Sequence, residues 1–264
     1  MKIGIIGCGN MAQAMLRGIA AKNDFKKSAI LVSDKDKSKA RLTRSRFKVT
    51  LCRSNSELVK QADLIILAVK PKDVQSLARD LTGSISGKLL VSICAGLSTK
   101  RLEQDFGKVA VIRAMPNMPA QVGQGITAIS KGRYARLKHI RLARLLFGCI
   151  GEVVQVREGL MDAVTAISGS GPAYFFYLIE NLISAAQQFG LTETLARKLA
   201  VQTALGSAMI LKQSQLSPKD WRIRVASKGG TTQAAFKLFR KKALDKILRT
   251  GFEAALRRSK QLQK

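Results

Sequence analysis

Three observations predict an α/β fold in which a helix-covered parallel sheet gives way to an all-helical second half. Short apolar runs alternate with amphipathic stretches from Lys2 to about Val156. The first of those runs ends in a glycine-rich turn, and after Arg157 the pattern is helical throughout. Strand, glycine turn and helix in that order is the arrangement of a Rossmann-type dinucleotide-binding domain. The domains are therefore expected at residues 1–157, binding a dinucleotide, and 158–264, an all-α dimerisation and substrate domain.

Lys2 to Ile6 is the first strand, followed by Gly7, Cys8, Gly9, Asn10, Met11 and Ala12 and an amphipathic helix to about Lys22. Gly7 permits the tight turn, Gly9 lets a pyrophosphate approach the backbone, and Ala12 stands where helix packs on strand. Further strands are expected at Ala29–Ser33, Phe47–Leu51, Leu64–Val69, Leu89–Ile93 and Val109–Arg113. Ser33 and Asp34 end the second strand, where such folds read the adenosine ribose. Asp34 suits a free 2′-hydroxyl, whereas Ser33 with Lys35 and Lys37 suits a 2′-phosphate. The pattern leaves both cofactors open, with NADPH taken as the favoured one and NADH as the alternative.

Two further loops fall at carboxyl ends of strands, Ala68-Val69-Lys70-Pro71 and Cys94-Ala95-Gly96, on the edge where these folds bind ligands. Lys70 is expected to contact the cofactor or close its loop rather than serve as a general acid. Cys8 and Cys94 are expected there as small residues, without thiol chemistry. Pro116 and Pro119 fix the loop Met115–Pro119, which suits either a site wall or a rigid connection.

The Gly151 to Val156 strand closes the first half. Ser168-Gly169-Ser170-Gly171-Pro172 opens the longest apolar helix, Ala173 to about Phe189, capped by Gly190. A helix apolar nearly all round must be covered on all sides, and helices of a second subunit are expected to cover it. Thr192 to Lys212 and Ala243 to Lys264 supply two more long helices. Between them Ser227, Lys228, Gly229, Gly230, Thr231 and Thr232 lead into a helical run from Gln233 to Arg240. Two glycines before a helix leave free N–H groups and a positive dipole end for an anion such as a carboxylate. A plain helix start with a threonine cap is the alternative.

The formal net charge is +29, from 46 Lys+Arg against 17 Asp+Glu, which keeps nucleic acid in view as a partner. The cations, however, spread over most helices. Between Arg133 and Arg144 they interleave with Leu137, Ile140 and Leu142, as on a solvated amphipathic face. Aromatics make up only 5%, too few for a stacking platform, so no specific nucleic-acid partner is expected. Cys8, Cys52, Cys94 and Cys149 form no Cys-x-x-Cys and His139 is the only histidine, so no metal site is expected, and a reduced cytoplasmic compartment is. Ala163–Ile179, the longest uncharged segment, is too short and broken to span a bilayer, and Met1 to Gly7 leaves no room for a signal peptide.

These residues together resemble pyrroline-5-carboxylate reductase over essentially the whole chain. The resemblance rests on Gly7–Ala12, Val69–Pro71, Ala95-Gly96, and Arg-Ala-Met-Pro-Asn-Met-Pro at Arg113–Pro119. It continues through Asp162–Tyr174 and Ser-Lys-Gly-Gly-Thr-Thr at Ser227–Thr232. It implies NAD(P)H-dependent reduction of 1-pyrroline-5-carboxylate to L-proline. Cofactor contacts would map to Gly7, Cys8, Gly9, Asn10, Met11, Ala12, Ser33, Asp34, Asn55, Ala68, Val69, Lys70, Cys94, Ala95 and Gly96. Substrate contacts would map to Glu158, Ser227, Gly229, Gly230, Thr231 and Thr232, with Thr232, Thr231 and Glu158 closest to the chemistry. The family also implies intertwined homodimers, often stacked into rings.

The chain departs from the family pattern at Lys228, where proline is usual, at Met118 for threonine, at Trp221 for leucine and at Arg224 for asparagine. The competing hydroxyacid and 6-phosphogluconate-type dehydrogenases carry Gly-x-Gly-x-x-x-Lys at the start of the first long helix, and here Phe175 stands where that lysine would. A protonated imine is already electrophilic, so its reduction needs little acid–base apparatus. That agrees with His139 lying outside every motif, at the surface or in a structural role.

Overall fold

A computed structural model describes residues 1–22, 25–81 and 83–262. The chain folds in the order β1 (Ile3–Ile6), α1 (Asn10–Lys22), β2 (Ile30–Ser33), α2 (Lys37–Phe47), β3 (Thr50–Leu51), α3 (Asn55–Gln61), β4 (Leu64–Leu67), α4 (Pro71–Leu81), β5 (Leu89–Ser92), α5 (Thr99–Phe106) and β6 (Ala110–Met115). It continues through β7 (Gly125–Lys131), α6 (Leu137–Gly148), β8 (Gly151–Gln155), α7 (Met161–Val164), α8 (Gly171–Gln188), α9 (Glu193–Gln213), α10 (Pro218–Val225), α11 (Thr231–Lys241) and α12 (Leu244–Gln261). By packing the chain divides into a unit of residues 1–170 with 255–264 and a unit of residues 171–254.

In the first unit the strands lie in the order β3-β2-β1-β4-β5-β6-β7-β8. The first six are parallel and follow the doubly wound order, which reverses direction between β1 and β4. Every residue of β1, β2, β4 and β5 is buried, as helices on both faces require. One face packs Ile3, Ile5, Val32 and Ile66 with Met15 and Ile19 of α1. The other packs Ile6, Leu31, Ile65 and Leu67 with Leu58 of α3 and Leu77 of α4.

Two stretches differ from the sequence expectation. The strand expected at Phe47–Leu51 shrinks to Thr50–Leu51, because Phe47 is buried as the last residue of α2 and Lys48 turns the chain at φ 56°. β7 was not anticipated. It runs antiparallel to β6, and β8 pairs parallel to it. The run Gly125-Ile-Thr-Ala-Ile-Ser, buried on both sides, is the signal that marks it.

The Ser168–Ser170 motif is not an open loop. Thr165–Gly169 forms a wide helical turn running into α8, with the Ser170 N–H donating to the Thr165 carbonyl at 2.9 Å. Gly169 packs against Met115, whose Cε would lie 2.6 Å from a Cβ placed there and would have to swing aside for one.

The second unit consists of α8 to α11 and the first part of α12. α8 starts at Gly171 with Pro172 in its first turn and ends before Gly190 at φ 92°. Its large side chains stay exposed: Phe175 is 65% and Tyr177 68% accessible, with Phe176, Leu178 and Leu182 beside them. α10 went unanticipated, although Ser217-Pro218-Lys219-Asp220 carries a full capping box.

Candidate functional site

Register collects the expected cofactor residues on one edge. Ile6 pairs with Ser33 and with Leu67, and Leu67 pairs with Ser92, so the turns after β1, β2, β4 and β5 emerge side by side. This is the carboxyl edge at the point where strand order reverses, where open α/β sheets bind ligands.

The first turn is built by glycine. Gly7 holds φ 103°, its N–H donates to the Ser33 carbonyl at 2.8 Å, and a Cβ there would sit 2.5 Å from the Ala68 carbonyl oxygen. Gly9 is the opposite case, with no atom within 4 Å of where its Cβ would be. That open approach to the backbone at the start of α1 fits a dinucleotide pyrophosphate. Ala12 is buried where α1 meets the sheet, as expected.

Asp34 braces this turn. Its Oδ2 accepts from the Cys8 N–H at 2.7 Å and its Oδ1 from the Asp36 N–H at 2.8 Å. Beside it the Ser33 hydroxyl donates to Asn55 Oδ1 at 2.7 Å. Lys35 pairs with Asp73 at 3.0 Å, and Lys37 donates to the Arg53 carbonyl at 2.9 Å. Asp36 caps α2, and the Ser38 hydroxyl and the Lys39 N–H bound to its carboxylate lower it to about 2.

The sequence missed the link between the other two loops. The Cys94 thiol donates to the Val69 carbonyl at 3.2 Å, and the Cys94 N–H to Ser92 Oγ at 3.2 Å. Burial pushes the Cys94 thiol above its ordinary range and pushes Cys8 to about 11, so both keep their protons. Ala68 and Val69 are half-buried, and Lys70 stands exposed beside them.

Glu158 and Arg113 meet at the same edge. Arg113, 2% exposed within β6, donates through Nη1 to Glu158 Oε1 at 2.9 Å. The same oxygen accepts the Thr99 N–H, the first of α5, at 3.1 Å. Arg113 Nη2 and Glu158 Oε2 are buried without a hydrogen bond among the described residues. Arg113 lay in a motif but was not singled out, because its counterion is 45 residues away.

In the second unit Ser227–Thr232 forms the start of α11. Gly229 turns at φ 74°, and its N–H donates to Gln233 Oε1 at 2.7 Å. A Cβ at Gly230 would lie 2.5 Å from Ser227 Oγ. Gly230 is the cap residue and no side chain caps the helix, so the expected alternative of a threonine cap does not hold here. Thr231 and Thr232 instead occupy the first helical turn, where unpaired N–H groups face outward. An open cleft of about 720 Å³ is lined by Gly229, Gly230 and Gln233 with Arg222, Lys237 and Arg240, and neither Thr231 nor Thr232 is in its lining. Lys228 is exposed, and Arg224 stacks over Trp221 at 5.3 Å. His139 lies apart from all of this, its Nδ1 accepting the Arg136 N–H at 3.0 Å at the start of α6.

Comparison with known proteins points one way. Residues 158–262 match the family model for pyrroline-5-carboxylate reductase dimerisation, and residues 2–96 match that for NADP oxidoreductase, coenzyme F420-dependent. The chain is 36% identical to a Synechocystis pyrroline-5-carboxylate reductase, covering 100% of this chain and 99% of that protein. It is 35% identical to one from Arabidopsis thaliana, covering 99% of this chain and 95% of the relative. Among solved structures, a Coxiella burnetii pyrroline-5-carboxylate reductase matches with a TM-score of 0.92 at 32% identity, over 100% of this chain and 98% of the other. A Plasmodium falciparum pyrroline carboxylate reductase with NADP bound matches with a TM-score of 0.90 at 30% identity, over 100% and 98%. No described helix is long and apolar enough to cross a membrane.

Proposed function

The chain belongs to the pyrroline-5-carboxylate reductase family, and from that premise we propose how its residues divide the work of reducing 1-pyrroline-5-carboxylate to L-proline, the last step of proline biosynthesis. The activity is that of an NADP-type oxidoreductase. NADPH is the reductant we assign, supported by the NADP-bound relative and by Lys35 and Lys37 beside the end of β2.

Gly7 to Ala12, Ser33, Asp34, Asn55, Ala68 to Lys70 and Cys94 to Gly96 hold the dinucleotide. Gly9 admits the pyrophosphate, and the N–H groups at the start of α1 face its charge. Asp34 acts through the Cys8 N–H it fixes. When bound, the dinucleotide supplies the hydride that adds to the imine carbon, while the C=N π electrons pass to a nitrogen that is already protonated.

Substrate is held by Ser227, Gly229, Gly230, Thr231 and Thr232. The backbone N–H groups of the first turn of α11 bind the carboxylate, and Arg222, Lys237 and Arg240 add a positive field around it. The Thr232 hydroxyl, assisted by Thr231, bonds the ring nitrogen. Glu158, paired with Arg113 through Oε1, is assigned to face the iminium through its other oxygen, Oε2, which has no hydrogen bond among the described residues. Orientation of this kind supplies up to about 7–11 kcal/mol of barrier lowering, and no side-chain general acid is required.

The observation that carries this reading is the uncapped, cation-flanked start of α11 in the same chain as the open Gly9 turn. We further propose a homodimer closed over α8, with rings of dimers as the larger assembly, in the cytoplasm. The test is loss of reduced-nicotinamide absorbance on adding pyrroline-5-carboxylate. Thr232→Ala should lower kcat/KM about tenfold or more. No turnover with NADPH or NADH would refute the assignment.

A further inference from the structure

Asp162 opens the longest motif in the sequence, yet the reaction as assigned does not use it. Its Oδ1 accepts a 2.8 Å hydrogen bond from the hydroxyl of Ser259, 97 residues away, with both side chains buried. Ser259 is the one buried residue of α12. A hydrophobic contact would dock a helix end wherever apolar surface lies; a hydrogen bond between two buried side chains fixes its rotation and register.

One turn beyond, the chain closes on the cofactor edge. The three atoms nearest to the missing Cβ of Gly96 all belong to Leu262, with the Leu262 carbonyl oxygen at 2.8 Å. Gly96 is buried and holds φ 77°. It is the middle of a turn pinned on one side by the Cys94 thiol on Val69 and on the other by the Thr99 N–H on Glu158. The end of α12 bears on the middle.

We propose that Ser259 is a positioning residue for the dinucleotide: its bond to Asp162 seats the C-terminal turn of α12 on Gly96 and so holds the Cys94–Gly96 turn in its binding shape. This rests on the assignment of that turn to the cofactor. A glycine at positive φ has other basins open to it at little cost. A neighbouring backbone that leaves no room for movement removes them. The affinity gained is the rearrangement the turn no longer has to undergo on binding.

The experiment uses the full chain and its Ser259→Ala and Ser259→Thr variants, with NADPH titrated by fluorescence and steady-state kinetics in both substrates. Ser259→Ala should raise the NADPH Kd and KM about five- to tenfold, with the KM for pyrroline-5-carboxylate within twofold of wild type. Ser259→Thr, which keeps the hydroxyl, should recover most of the loss. A chain ended after Gln261 removes the Leu262 contact without touching Ser259 and should show the same weakening, which serves if Ser259→Ala does not fold. Leu77→Ala in the core cluster around α4 is the control for lost stability alone. If Ser259→Ala lowers Tm as Leu77→Ala does and leaves the NADPH Kd unchanged, the positioning role is overturned while the cofactor assignment stands. Wild-type protein that fails to bind NADPH overturns the cofactor assignment itself, and the positioning role with it.

Discussion

Arg113 holds Glu158 across the edge of the sheet: one guanidinium nitrogen lies 2.9 Å from one carboxylate oxygen, and the Thr99 N–H of α5 reaches the same oxygen. The contact ties together β6, the start of α5 and the residue where the helical half begins. Burying Arg113 at 2% exposure is tolerable only because this partner is present. Arg113→Met should therefore cost about 3 kcal/mol, the low end for breaking a buried pair, because the Glu158 side chain keeps 30% exposure. Glu158→Gln should cost at least as much, since it leaves the Arg113 charge buried without a counterion even though the amide oxygen still accepts from Thr99. The double variant should be more stable than the sum of the singles predicts, which denaturant unfolding in a double-mutant cycle measures.

Gly7 and Gly9 should fail in different ways. Alanine at Gly7 would require φ 103° and would meet the Ala68 carbonyl, so Gly7→Ala should lose about 1–2 kcal/mol or more of stability. Gly9→Val has free space around its side chain and should leave Tm within a degree or two. Its effect should instead be a rise of at least about tenfold in the NADPH Kd, because the side chain fills the pyrophosphate approach. Thermal unfolding and fluorescence titration of the two variants separate the roles.

The exposed row Phe175, Leu178 and Leu182 lies along one stripe of α8. Apolar surface of that extent belongs to an interface. Leu178→Asp should weaken self-association roughly a hundredfold, seen as a shift from dimer to monomer in sedimentation at micromolar concentration. A wild-type chain that is monomeric and folded under those conditions would contradict a dimer closed over α8.

Cys8 makes the alkaline limb of stability predictable. Burial, opposed by a bond to Thr43, raises its thiol from 9.0 to about 11. The folded pKa exceeds the unfolded one, so the proton is held more tightly in the native state. That contribution is fully present below pH 9.0 and is lost as pH rises towards about 11. Cys8→Ser should flatten the fall in stability over that window, and alkylation of the native thiols near neutral pH should be much slower than that of the unfolded chain.

The sequence determined the dinucleotide half almost completely. Its elements are local in origin: short, fully buried strands, a turn built on Gly7 at positive φ, and a pattern that switches between periods of two and 3.6. It also located the start of α11, since two glycines before an amphipathic run announce a helix N-terminus wherever they occur. What it left open was whether a threonine caps that helix, because a cap depends on backbone geometry that residue type alone does not fix.

Tertiary structure decided the connections made at a distance. Arg113 finds Glu158 across 45 residues, Cys94 finds Val69 across 25, and Asp162 finds Ser259 across 97. Each of these side chains is unremarkable in its own neighbourhood, and its role exists only after the sheet order and the path of α12 bring the partner alongside. β7 was lost for a related reason: its two buried faces erase the polar alternation by which an antiparallel strand is read. Local propensity and periodicity are properties of the sequence window, whereas pairing of buried polar groups is a property of the closed fold.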